Sequence, residues 1–139
     1  MSLAFLIPTK DRHPALARSL PGVLAAARRC GAEVLVCDQS RDPAIVPTEV
    51  RLLHRPDLDG LPAARNVLMR ATAATLVCFL DDDTDVAADF GLAALRLADM
   101  EPEVVAWGPV FETRSFRLRR LHRLVHLGCF RDPRRLLCR

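Results

Sequence analysis

Apolar and polar positions fall in blocks along this chain. Short aliphatic runs recur at 3–7, 33–37, 50–53, 76–80 and 104–108. Runs of that length and composition read as strands of a sheet buried on both faces. Between them lie stretches whose spacing predicts helices over 14–29, 62–72 and 89–100. Pro14 suits a first helical position, and Cys30-Gly31 is a stop. Pro21-Gly22 is expected to kink or interrupt the first helix. On the third helix Phe90, Ala93, Ala94 and Leu97 supply the apolar positions. Strands alternating with helices imply βαβ units and a mostly parallel sheet, so the fold class is α/β.

The tail follows a different pattern. In 116–127 the apolar residues Leu118, Leu121, Leu124 and Val125 are interleaved with arginines, which predicts a basic amphipathic helix. Residues 1–111 carry 11 basic and 15 acidic side chains, whereas 112–139 carry nine basic and two acidic ones. The expected organisation is therefore one α/β domain over 1–111 and a basic tail over 112–139. That tail could pack its leucines on the body or lie on an anionic membrane surface. Nucleic acid is not an expected partner.

The whole chain has 139 residues, half of them hydrophobic, which suits a single domain with a real core. No run approaches the 18 apolar residues of a membrane span. The first residues lack a basic region and meet Pro8 and Lys10 early, so they read as a strand rather than a secretion signal. The five cysteines are odd in number and without C-x-x-C spacing, which points to reduced thiols and a cytoplasmic protein.

The strongest chemical signal is Asp81-Asp82-Asp83, set directly after the fourth run. Open α/β sheets bind ligands at the carboxyl ends of their strands. On an extended backbone Asp81 and Asp83 would share one side and Asp82 the other. Two carboxylates about 7 Å apart repel by roughly 2 kcal/mol at an effective dielectric of ~20, which a divalent cation would relieve. Mg²⁺ and Mn²⁺ take such oxygens and commonly share them with phosphates. A solvated acidic loop capping the next helix is the simpler alternative.

Other candidates fall at corresponding places. Pro8-Thr9 ends the first strand, Asp38 ends the second, and Gly60-Leu61-Pro62-Ala63-Ala64-Arg65-Asn66 opens the middle helix. In a parallel sheet the strand ends line one edge. A carboxylate there suits ribose hydroxyls or a base N–H, an arginine suits phosphate, and the acids suit a cation on a diphosphate. The implied ligand is a nucleoside diphosphate carrying another group.

This set resembles the donor-binding half of family 2 glycosyltransferases of the GT-A fold. Leu6-Ile7-Pro8-Thr9-Lys10-Asp11-Arg12 is similar to their first-strand signature, and Val34-Leu35-Val36-Cys37-Asp38-Gln39-Ser40 to their second. Gly60–Asn66 is similar to their "GLxxARN" segment, and Phe79-Leu80-Asp81-Asp82-Asp83 to their DxD motif. The resemblance covers about 3–111 and implies a Rossmann-like GT-A sheet, incomplete at the C-terminus. It implies a substrate site of Pro8, Thr9, Asp11, Arg12, Asp38, Arg65, Asn66, Asp81 and Asp82. Thr9 and Asp38 would contact the base, typically uracil. Arg65 would hold base or phosphate, Asp81 or Asp82 ribose, and Asp83 would coordinate Mg²⁺ or Mn²⁺. The activity implied is inverting transfer from a nucleotide-diphosphate sugar, typically a UDP-sugar in family terms, to a saccharide or lipid-linked acceptor.

Two departures stand out. Many relatives carry a second acid where Gln39 follows Asp38. Relatives also place a catalytic base well downstream of the DxD motif. Here only Glu112 and Asp132 lie beyond Glu103, and neither sits in a base motif. The expectation is a truncated glycosyltransferase in which donor binding survives and transfer is impaired, seated in the cytoplasm or on the inner membrane face by its tail. The alternative is a non-catalytic remnant or membrane-surface module. An aspartyl-phosphate phosphatase is disfavoured, because Pro8-Thr9-Lys10 stands where its nucleophilic Asp would be.

Overall fold

A computed structural model describes residues 1–103. The strand expected at 104–108, the basic tail 112–139, Cys129 and Cys138 lie outside the described residues.

Four strands form one parallel sheet: β1 (Leu3–Thr9), β2 (Glu33–Asp38), β3 (Val50–His54) and β4 (Leu76–Phe79), in the order β3-β2-β1-β4. Three helices connect or follow them: α1 (His13–Cys30), α2 (Leu61–Ala71) and α3 (Phe90–Met100). Every residue of β1 is buried. Its side chains alternate between the two faces, as a strand requires. Leu3, Phe5 and Ile7 join Leu16, Leu20, Val23 and Leu24 of α1 on one face, where Phe90 of α3 also packs. Ala4 and Leu6 join Leu35, Cys37, Ala64 and Leu68 on the other, against α2. A central strand covered on both sides explains why its sequence is an uninterrupted apolar run.

The interruption expected at Pro21-Gly22 does not occur. The α1 helix runs from His13 through Pro21 to Cys30 without a break. A proline inside a helix costs about 3 kcal/mol. Pro21 is exposed, while Leu16, Leu20, Val23, Leu24, Ala26 and Ala27 are buried against the sheet. Burying several such side chains at roughly 1.5–3 kcal/mol each outweighs one defect on the solvent side. The helix stops as expected at Gly31, whose φ of 68° takes the left-handed conformation. The Ala32 N–H then donates to the Ala27 carbonyl at 3.0 Å.

The register decides where chemistry can occur. Thr9 pairs with Asp38, and Asp38 pairs with His54, so β1, β2 and β3 end level. After β4 the Leu80 N–H donates to the Leu6 carbonyl at 3.0 Å, which delivers Asp81–Asp83 to the same edge. The extended backbone assumed for the three acids does not continue here. The strand ends at Phe79, and a turn closed by Thr84 N–H on the Asp81 carbonyl (3.1 Å) replaces extended backbone. Asp82 is turned inward, and Asp81 and Asp83 are exposed.

Candidate functional site

The carboxyl edge of the sheet opens into a crevice of about 440 Å³. It is lined by residues from the end of β1 (Pro8, Thr9, Lys10 and Arg12), by Gln39 after β2, by Asp59-Gly60-Leu61 at the start of α2, and by Asp81 and Asp82. Four sequence regions far apart along the chain thus meet where ligands of open α/β sheets bind.

The best-ordered chemistry surrounds Asp82, which is 4% exposed. Thr9 Oγ1 donates to its Oδ2 at 2.7 Å. Ser19 Oγ, from α1, donates to its main-chain carbonyl at 2.8 Å. Arg12 Nη1 stands 2.9 Å from Oδ1, a charge contact without hydrogen-bond alignment, so that buried oxygen has no hydrogen bond. Arg12 Nη2 donates to Asp83 Oδ2 at 2.6 Å. That hydrogen bond, reinforced by the guanidinium charge, holds the Asp83 carboxyl below its ordinary range and raises the pKa of Arg12 in turn. Asp11, just before Arg12, adopts a φ of 55°, the left-handed region that Asp tolerates better than most residues. Its N–H donates to Ser40 Oγ at 2.8 Å, which ties down the turn that aims Arg12.

Asp38 lies elsewhere. It is fully buried, and both of its oxygens serve its own loop. Oδ1 accepts from Ser40 N–H (2.9 Å) and Ser40 Oγ (2.5 Å), and Oδ2 accepts from Ala44 N–H (2.7 Å). His13 Nε2 stands 3.4 Å from Oδ2. Burial pushes the Asp38 carboxyl up, but the Ser40 and Ala44 hydrogen bonds and the His13 charge outweigh it, and the net shift is downward. The carboxylate does not line the crevice; its neighbour Gln39 does, with Nε2 donating to the Gly60 carbonyl at 3.2 Å.

The remaining expected residues divide. Pro8, Thr9, Arg12, Asp81 and Asp82 line the crevice, and Asp83 is joined to it through Arg12. Asp11 lines a neighbouring shallow depression with His13, Pro14, Ser40, Arg41 and Asp42. Arg65 lies outside the lining: its guanidinium rests over the Phe79 ring, 5.2 Å from the centroid, with Nε buried and unbonded. Asn66 is exposed on α2, also outside it. Lys10 and Asp59, which sequence reasoning did not single out, face each other on the rim at 3.1 Å. Their pairing joins residues 49 apart and leaves no local sequence signal. Cys37 and Cys78 have thiols pushed up by burial, which keeps them protonated and inert.

No group of three or more His, Cys, Asp or Glu side chains is arranged to enclose a metal among the described residues. A Mg²⁺-like ion shared with a phosphate needs only one or two protein carboxylates. Asp83, half-exposed, and the hydrogen-bond-free Oδ1 of Asp82 supply two hard oxygens, both in contact with the Arg12 guanidinium. The residues therefore fit such an ion when a ligand brings the other oxygens.

Among solved structures, the chain is similar to S. aureus TarS 1–349, with a TM-score of 0.55 and 21% identity over 73% of this chain. It is also similar to S. aureus TarS, with a TM-score of 0.57 and 20% identity over 81% of this chain. These likenesses concern the fold. The chain spans 33% and 23% of those two chains. No curated protein matches it significantly. The family model for glycosyl transferase family 2 matches residues 4–137, nearly the whole sequence and all four motif regions, and this chain belongs to that family.

Proposed function

We propose that the crevice binds the nucleoside diphosphate of a nucleotide sugar, as the donor for inverting glycosyl transfer. The observation that carries this reading is the Thr9–Asp82–Arg12–Asp83 chain of contacts at the carboxyl edge of the parallel sheet. It gathers two carboxylates and a guanidinium within one ligand's reach. Asp83 and Asp82 would hold Mg²⁺ or Mn²⁺, which when bound offsets charge on the departing diphosphate. Arg12 and Lys10 supply cationic groups for phosphate oxygens, and exposed Asp81 supplies an acceptor for ribose hydroxyls. Thr9 orients Asp82 rather than meeting the base. With Asp38 committed to its loop, base recognition falls to Gln39, whose amide offers both a donor and an acceptor. Uridine is the first base to test. The acceptor and its general base are not assigned to any described residue. The basic stretch 112–139 is proposed to seat the protein on an anionic membrane surface, from the cytoplasmic side.

The test is calorimetric titration with UDP, GDP and ADP, with and without Mn²⁺, on the wild-type chain and Asp83→Ala. Mn²⁺-dependent binding of one nucleotide, weakened at least about tenfold by the substitution, supports the reading. A folded chain that binds none of the three overturns it.

A further inference from the structure

Arg12 is the cation in contact with the acid cluster among the described residues. Lys10 is paired with Asp59, and Arg18 acts on Asp83 only through space. The Arg12 side chain is 51% exposed and lines the crevice, while Asp82 beneath it is buried. A buried carboxylate needs a positive partner, and removing the partner is costly. A guanidinium and a divalent cation, however, compete for the same oxygens. The fork of Arg12 covers Asp82 Oδ1 and Asp83 Oδ2 together, and these are the two oxygens that a hard cation would take. The same planar fork suits a phosphate as well as it suits carboxylates.

We propose that Arg12 is the resident counter-cation of Asp82 and Asp83, a latch that a divalent cation must displace, and that the freed guanidinium then turns to a phosphate oxygen in the same crevice. This rests on the reading of the crevice as a nucleoside-diphosphate site. A nucleotide that draws Arg12 away bares the acids for the cation, so nucleotide and metal strengthen each other's binding.

The test is Mn²⁺ affinity without nucleotide, by calorimetry or by the loss of the free-ion paramagnetic resonance signal. The proteins are wild type, Arg12→Gln, Arg12→Lys, Arg18→Gln and Asp83→Asn. Releasing the acids in Arg12→Gln is expected to tighten Mn²⁺ binding roughly fivefold, the upper end for an ion pair with an exposed partner. Arg18→Gln removes the same charge nearby without breaking a contact and is expected to change affinity less than about twofold. Arg12→Lys keeps the charge but presents a point donor, so it gains about threefold; it carries the test should Arg12→Gln fail to fold, and no gain in it then overturns the latch. Asp83-dependent binding that is no tighter in Arg12→Gln than in wild type overturns the latch and leaves the nucleotide site standing. Equal gains in Arg12→Gln and Arg18→Gln overturn it too, since bulk charge would then account for both. If no Mn²⁺ binding depends on Asp83, the latch and the metal assignment fall together.

Discussion

Thr9 Oγ1 and Asp82 Oδ2 are joined by a 2.7 Å hydrogen bond between residues 73 apart in sequence. Both residues are 4% exposed. The bond fixes the middle acid of the triplet against the end of the central strand and leaves Asp81 and Asp83 on the surface. Asp82 Oδ1 already lacks a hydrogen bond, so the carboxylate relies on Thr9 for a well-aligned donor.

Thr9→Val keeps the shape of the side chain and removes that donor. The expected loss is about 2–3 kcal/mol of unfolding free energy, the cost of a buried charged group deprived of its hydrogen bond. Thr9→Ser retains the hydroxyl and should lose less than ~1 kcal/mol. Urea unfolding of the two variants measures the difference. Equal stability would show that the bond contributes nothing and that Arg12 alone holds Asp82.

The fold was legible in the sequence because its central strand is covered on both faces. The run at 3–7 could only be an interior strand, and the strands and helices described lie within two residues of the expected bounds. Pro21 does not interrupt α1, because its local penalty is outweighed by the apolar face that the helix buries on the sheet. The acids are a different case: Asp82 is buried and Asp81 and Asp83 are exposed, the sidedness expected of a strand, although the chain turns immediately after Leu80. Side-chain partnerships at the edge were the least legible. Asp38 and Gln39 are adjacent, and which of them faces the crevice depends on the loop that wraps Asp38 with Ser40 and Ala44. Arg12 meets Asp83 across 71 residues, a pairing that no sequence spacing announces.

Asp38 makes acid stability testable. Its folded pKa lies below the ordinary carboxylate value because its hydrogen bonds outweigh the cost of burial. A depressed pKa contributes stability that is fully present above the unfolded value of about 3.9 and is lost as pH falls through the lower folded value. Asp38→Asn cannot accept from Ala44 and Ser40 on both of its side-chain atoms. It should be less stable than wild type by about 2–3 kcal/mol at pH 7. That gap should narrow as pH falls from about 4 to 2. Chemical denaturation across that range measures it. Other depressed carboxylates, Asp83 and Asp57 among them, remain in both proteins, so the difference between the two curves reports Asp38. Parallel curves would show that the Asp38 charge is not what its loop holds.

Gln39 separates base recognition from loop construction. Its amide donates to the Gly60 carbonyl at 3.2 Å, spanning the crevice from β2 to α2. One such bond contributes about 1 kcal/mol to folding, so Gln39→Ala should unfold close to the wild-type midpoint. If the amide meets the base, the same substitution removes one or two ligand hydrogen bonds. Nucleotide affinity should then fall by roughly 5- to 30-fold, with the preference among UDP, GDP and ADP flattened. Mn²⁺ affinity measured without nucleotide should not move, since Gln39 touches neither Asp82 nor Asp83. Undiminished affinity with an unchanged order of preference would remove Gln39 from base recognition and direct the search to the main chain at Pro8 and to Leu61. A fall in affinity equal for all three nucleotides would mean that Gln39 shapes the crevice through Gly60 without reading the base.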